Sequence, residues 1–282
     1  MSDRFLSWEQ AVAWLVAQPD KQELVRDCYY DPLPEAAASR YFQSDEWKAI
    51  RALLPPVRGR ALDLGAGRGI ASYALAKEGW NVVAVEPDPS DFVGGGAICK
   101  IAKSEGLPIE VVQEFGEHIP LDSASFDLVI ARQVLHHAQD LGALCAEVFR
   151  VLKPGGKFLA VRDHVVSSHA DLPVFLAIHP LHQLYGGENA YELGQYLDAI
   201  RTAGFIVERV LRPFDSVINY APYTRSSLRE ELKRRLRKLP LGVGVARLLD
   251  ADLILDISLT VLSHLDRRPG RLYSFVCSRP HN

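Results

Sequence analysis

The turn Asp63-Leu64-Gly65-Ala66-Gly67-Arg68-Gly69 constrains this chain most, because it follows a short apolar strand and opens a helix. Glycines there let the backbone turn sharply and approach a ligand with no side chain in the way. The helix beyond offers unpaired N–H groups at its start. A dinucleotide-binding turn spaces its glycines GxGxxG, whereas here position 70 is Ile and the third glycine comes one residue early. Asp63, two residues before the first glycine, suits a cationic ligand head better than a pyrophosphate, since like charges repel. The next strand ends in Val83-Ala84-Val85-Glu86-Pro87-Asp88. An acid there, roughly 20 residues past a glycine loop, accepts hydrogen bonds from ribose hydroxyls.

Around this turn, strand and helix signals alternate. Helical patterns open the chain at 8–18 and 36–53, the second stopped by Pro55-Pro56. Strands are expected at 60–64, 81–85, 110–113, 126–131 and 157–161, with helices at 70–77 and 141–152 and a turn at Lys153-Pro154-Gly155-Gly156. Gly94–Gly96 interrupt the helix expected after the second strand. The stretch 164–187 reads as irregular, and Asn189 with Glu192 as a capping box for a helix that Gly204 closes. A sixth strand starts at Phe205 and runs on towards Tyr220, and a last one covers 272–278, with helices 226–239 and 243–265 between them. Short apolar strands separated by helices imply a parallel sheet covered on both faces.

Composition adds few constraints. A hydrophobic fraction of 48% and a net charge of -3 describe an ordinary globular protein with no general attraction to polyanions, so no nucleic-acid partner is expected. Cys28, Cys99, Cys145 and Cys277 form no CxxC pair, which argues against a structural zinc site or a disulfide scaffold and suits a cytoplasmic location. No metal ligands are expected. The opening MSDRFLSWEQ lacks the apolar centre of a signal peptide, and no uncharged apolar run is long enough to span a bilayer.

Ala61-Leu-Asp63-Leu-Gly65-Ala-Gly67-Arg-Gly69, Glu86, Ser125-Phe-Asp127-Leu-Val, Val134-Leu-His136-His137 and Leu152-Lys-Pro154-Gly-Gly156 resemble the motif series of class I S-adenosylmethionine-dependent methyltransferases. The resemblance covers about residues 60–162 and is strongest to the ubiquinone/menaquinone-biosynthesis type. It implies a Rossmann-like α/β fold, a seven-stranded sheet with the last strand antiparallel, and S-adenosyl-L-methionine as donor, leaving S-adenosyl-L-homocysteine. It further implies that Asp63, Gly65 and Gly67 meet the donor's amino-acid end and that Glu86 holds its ribose. Ala66, Pro87, Gly116, Arg132 and Tyr41 complete the expected donor site. Relatives carry an Asp that hydrogen-bonds the adenine amine; here Phe115 stands in its place and can meet adenine only through its ring or backbone. Residues 1–55 read as a helical segment, 56–225 as the core, 226–270 as a helical insertion and 271–282 as the last strand; the stretch from Tyr29 to Tyr41 either closes over the donor as a lid, as in similar proteins, or packs as a helix on the sheet.

For the acceptor, the carboxyl ends of the strands are the place to look. His137 follows strand four, Asp163 and His164 follow strand five, and His182 lies beyond; these are the catalytic candidates. Arg132, Gln133, His136 and His137 all reach that rim after strand four, and one of the two histidines is expected to pack or cap. His179, Tyr185, Glu188 and Asn189, within the acceptor segment 163–190, are candidates for binding the acceptor. A neutral imidazole can take a proton from a hydroxyl near neutral pH. The run Leu184-Tyr185-Gly-Gly-Glu188-Asn189-Ala-Tyr191 resembles methyltransferases of bacterial surface-polysaccharide synthesis, which leans towards O-methylation of a glycan or other small, possibly lipid-linked acceptor.

The segment from Arg225 through Lys238 holds seven basic and two acidic residues beside a stripe of Leu228, Leu232, Leu236 and Leu239. Such a helix can lie on an anionic membrane at the inner face, and the apolar stretch after it suits a buried or dimer-forming helix. Two alternatives to the enzyme stay open: a donor-binding scaffold or regulatory subunit, and a nicotinamide oxidoreductase, against which Ile70 and Asp63 count.

Overall fold

The computed structural model describes residues 5–240 and 242–281; the expected outer domain limits at residues 1 and 282 lie outside them. Eight strands form one sheet: β1 (Arg60–Leu64), β2 (Asn81–Val85), β3 (Ile109–Val112), β4 (Phe126–Arg132), β5 (Leu152–Val166), β6 (Tyr191–Glu192), β7 (Ile206–Leu211) and β8 (Arg271–Ser278). Their order is β3-β2-β1-β4-β5-β8-β7, with β6 paired to the far end of β5. Only β8 runs antiparallel to its neighbours among the described residues. The sheet thus holds the seven strands of the sequence reading plus the two-residue β6.

Alternation along the strands builds two cores. Leu62, Leu64, Val83, Val85, Val129 and Phe158 face the helices 141–151 and 193–202. Ala61, Val82, Leu128, Ile130, Leu159 and Val161 face the helices that carry Trp47 and Leu75, together with Trp80 in the connection before β2. Successive strand residues point to opposite faces, so both faces of a covered parallel sheet must be apolar. That is why these strands read as continuous apolar runs.

Several boundaries differ from the sequence reading. The helix expected over 36–53 is two, Pro34–Gln43 and Asp45–Arg51, because Ser44 leaves the helical conformation and caps the second through Trp47 N–H. The Lys153–Gly156 turn is absorbed into β5, where Gly155 and Gly156 exchange backbone hydrogen bonds with Arg279. The stretch 164–187 is not irregular: β5 continues to Val166, and helices follow at Leu172–Ile178 and His182–Tyr185. Asn189 does not cap the next helix. Glu192 does, in a reciprocal box with Gln195. The strand after Phe205 stops at Leu211, and Val217–Tyr220 is a short helix. The apolar stretch 243–265 splits into Gly242–Leu248 and Asp252–Leu265.

Gly94–Gly96 start the helix Gly95–Glu105 rather than breaking it. A Cβ on Gly94 would lie 2.0 Å from the Asp88 carbonyl oxygen, so only glycine lets the loop after β2 fold this tightly onto the helix start.

The insertion also departs from expectation. Leu228 is buried, and with Leu232 and Leu236 it packs against Leu249, Leu255 and Leu259, so these three leucines of the stripe face protein while Leu239 is exposed. Arg225, Arg229 and Lys233 pair with Asp256, Asp252 and Asp250, and Arg234 and Arg235 with Glu231. Most of the basic charge of 225–239 is therefore spent internally. No helix among the described residues is long and apolar enough to cross a membrane.

Candidate functional site

One cavity of about 550 Å3 opens at the carboxyl ends of β1, β2 and β4. At one end lies the glycine turn. Gly65 and Gly67 both have left-handed backbones, φ +60° and +53°, and a Cβ on Gly65 would come within 2.7 Å of Val134. The Glu86 carboxylate grips this turn: Gly67 N–H donates to Oε2 at 2.7 Å, and Asp88 N–H to Oε1 at 2.9 Å. A carboxylate offers about four lone-pair sites, so each oxygen keeps one for a ligand hydroxyl. Asp63 is almost fully buried on the cavity wall and accepts a hydrogen bond from the Ser72 hydroxyl at 2.6 Å. Burial pushes its carboxyl up to about 7, against the Ser72 hydrogen bond that favours the charged form. Such an acid lacks a cationic partner, and a ligand with an ammonium or sulfonium group would supply one.

The N-terminal segment folds against this end. Arg68 donates to the carbonyls of Tyr29 and Asp31 at 2.9 and 2.8 Å, bringing Trp8, Cys28, Tyr29 and Tyr30 onto the cavity wall. Arg132 lines the wall too, held by Glu46 in a bidentate pair at 2.7 and 3.2 Å. Burial alone would raise the Glu46 carboxyl, but the charges of Arg132 and Arg162 outweigh it and hold it below its usual value. Ala66, Pro87, Phe115 and Gly116 also line the cavity, with Phe115 exposed. Tyr41 does not. It is fully buried beneath, edge-on to Tyr29, because the helix carrying it packs on the sheet.

The other end is a chamber of histidines. His136 is buried, and its Nδ1 lies 2.9 Å from Asp163 Oδ1, which also accepts the backbone N–H groups of Val134 and His136. Asp163 itself has no surface on the cavity; a shift in β5–β8 register between Ala160 and Asp163, with Arg162 at φ +66°, turns it under the loop after β4. Bulges of this kind re-aim side chains at a modest cost in backbone strain. Asp163, a catalytic candidate in the sequence, thus touches the cavity only through His136. His164 Nδ1 sits 2.7 Å from the Gly270 carbonyl and His137 Nδ1 3.1 Å from the Gly187 carbonyl. A carbonyl only accepts, so both rings carry a proton on Nδ1. Burial lowers His136 well below its usual value and brings His164 and His179 to about 4, so these three rings stay neutral.

Glu188 closes the chamber. The Tyr185 hydroxyl donates to its Oε1, while the buried Oε2 has no hydrogen-bond partner and lies 3.8 Å from His136 Nε2 and 4.0 Å from His137 Nε2. His182 and Asn189 do not line the cavity, whereas His179, Tyr185 and Glu188 do. Sequence reasoning missed His136 as a site residue, and Arg68, Cys28 and Trp8 altogether. The available signal for His136 was an acid one strand over: β4 and β5 pair in parallel, Arg132 opposite Val161, which brings 163 beside the loop at 134–136.

An open, twisted, mostly parallel sheet with its cavity at the carboxyl ends around a glycine turn defines a Rossmann-like, nucleoside-binding protein. Residues 62–160 match the family of methyltransferase domains, and over that stretch the chain is similar to S-adenosylmethionine-dependent methyltransferases. The ubiquinone biosynthesis O-methyltransferase of Rhizobium etli is 28% identical over 138 residues, 49% of this chain and 54% of that protein. An uncharacterised methyltransferase of Mycobacterium tuberculosis is 36% identical over 110 residues, 39% of this chain and 42% of that one. The chain spans about half the length of the relatives it matches. Among solved structures, a phosphoethanolamine N-methyltransferase of Haemonchus contortus with S-adenosyl-L-methionine shares the fold. Its TM-score is 0.57 at 19% identity, over 96% of this chain and 60% of that one. The glycine turn, the spare lone pairs of Glu86 and the unpaired buried acid Asp63 fit that donor.

Proposed function

We propose that this protein transfers a methyl group from S-adenosylmethionine to a hydroxyl oxygen of a small-molecule or glycan acceptor. The observation that carries the reading is the continuity of one cavity from the glycine turn to the histidine chamber. The donor supplies a methyl group already activated on a sulfonium sulfur. The protein's task is therefore alignment and exclusion of water, and good alignment alone is worth roughly 7–11 kcal/mol. Asp63 and the turn at Gly65–Gly67 hold the cationic amino-acid end, and Glu86 takes the ribose hydroxyls. Trp8, Tyr29 and Tyr30 cover the reacting centre.

At the far end the acceptor hydroxyl lies among His136, His137, His164 and Glu188. The sulfur–methyl bond breaks as the oxygen–methyl bond forms, and the hydroxyl proton passes to His137 Nε2, the ring nearest the mouth, and from there to water. His137 suits this because 39% of its side chain reaches solvent. The imidazoles and the Glu188 carboxyl at this end offer partners to an acceptor hydroxyl. Nothing in this reading needs a membrane or a second copy of the chain.

The test incubates the full chain and donor with sugars, nucleotide sugars, lipid-linked sugars and quinols, reading S-adenosylhomocysteine release and the mass gain of one methyl substitution. Turnover with a hydroxylated polar acceptor is expected. Donor binding with no turnover on any acceptor would make the protein a scaffold instead.

A further inference from the structure

We propose that the histidine chamber is a divalent metal site, with His136 Nε2, His164 Nε2 and Glu188 Oε2 as its protein ligands. The inference rests on the reading that this end of the cavity receives the acceptor, and it names what would hold the acceptor there. One ligand atom from each of the three residues lies within 4.8 Å of the others, and Glu188 Oε2 is 3.8 Å from His136 Nε2. A cation with bonds of about 2.0–2.2 Å in tetrahedral geometry sets its ligand atoms about 3.3–3.6 Å apart, so binding would draw the His136–Glu188 pair together by a few tenths of an ångström and the widest pair by up to about 1.5 Å.

Two observations make this more than a chance gathering of polar residues. The first is the state of the groups. Two tautomer-fixed imidazoles turn lone pairs, not protons, towards a buried carboxylate oxygen that no donor meets. Acceptors facing one another in a buried space repel, and such groups are normally satisfied; a cation satisfies all three at once. The second is the ring of supports behind them. His136 is backed by Asp163, His164 by the Gly270 carbonyl and Glu188 by the Tyr185 hydroxyl. Metal-bound histidines almost always donate their other N–H to a carboxylate or carbonyl in this way, which fixes the ring and raises its basicity.

The ligand set also indicates the ion. Two imidazoles and one carboxylate suit manganese, iron, cobalt, nickel or zinc rather than calcium or magnesium. Three protein ligands leave coordination positions open towards the cavity, where acceptor oxygens would bind. The sequence reading expected no metal because it sought closely spaced ligands, and these come from three separate segments.

The test uses Co2+ as probe on metal-stripped full-length protein, by equilibrium dialysis with metal analysis and by visible absorption. One Co2+ per chain with a ligand-field band is expected. Glu188→Gln and His164→Gln should each weaken binding by at least tenfold, and Asp163→Asn by roughly 10–100-fold. His182→Gln, a histidine off the cavity, should leave binding unchanged. Circular dichroism and calorimetry with S-adenosylhomocysteine on the same samples report folding and the donor site separately, so a failed donor site and a failed metal site are told apart. If one ligand variant does not fold, the other decides. No saturable binding by the native protein, or binding unaltered in the folded ligand variants, overturns the proposal.

Discussion

Replacing Asp63 by Asn isolates the acid on which donor capture depends. Burial lifts its carboxyl from 3.8 to about 7 in the folded chain, with the Ser72 hydrogen bonds opposing and the Glu86 charge adding to the rise. The folded protein therefore keeps a proton on Asp63 that the unfolded chain has already released. Between those values the native state binds more protons, so this group's contribution to stability is fully present below pH 3.8 and is lost as pH rises through about 7. At about 1.36 kcal/mol per pKa unit the swing is about 4 kcal/mol. Asn keeps an oxygen for the Ser72 hydroxyl and cannot ionise. Urea unfolding at pH 4 and pH 8 should show the stability difference between variant and native protein moving by about that amount in the variant's favour. Glu86 titrates in both proteins and largely drops out of the difference. A cationic donor draws the proton from Asp63, so native donor affinity should strengthen as pH approaches 7 and level off above it, while the variant loses affinity and that dependence. A flat stability difference together with unchanged donor affinity in the variant would refute the reasoning.

Gly67→Arg should abolish donor binding in calorimetry, since the backbone there is left-handed and the added side chain lies against the cavity; micromolar binding by the variant would contradict this. Asp163→Asn should leave donor affinity intact and lower turnover by roughly 10–100-fold, because His136 at the acceptor end loses the carboxylate that fixes its ring, and full activity would show that Asp163 does not position His136 for turnover. Glu46→Gln should destabilise by about 3–5 kcal/mol in chemical unfolding, the usual result of leaving one charge of a buried pair, here Arg132, uncompensated. A loss under 1 kcal/mol would mean that Arg132 finds other partners.

The core of the fold was legible in the sequence because its strands are covered on both faces and its helices on one. β1, β2 and the helix Ile70–Lys77 fall where apolar runs and glycine breaks put them. Boundaries failed where a single residue overrode the pattern, as at Ser44, or where tertiary pairing extended an element, as when Arg279 drew Gly155 and Gly156 into β5. The donor end was readable because its residues are contiguous and their spacing carries the geometry. The acceptor end was only half readable. His164, His179 and Glu188 were singled out, but nothing local marks His136 as their centre. Its role depends on a bulge that carries Asp163 beneath a loop of the neighbouring strand. Tyr41 failed for the same kind of reason, since its helix turns it into the core rather than towards the ligand.

The most direct test of the account is a crystal structure of the full chain with S-adenosylhomocysteine. The account predicts the ribose hydroxyls on Glu86, the amino-acid end beside Asp63 and Gly65–Gly67, and the sulfur facing the chamber of His136, His137 and His164. A ligand bound elsewhere, or one whose sulfur faces away from those histidines, would contradict it.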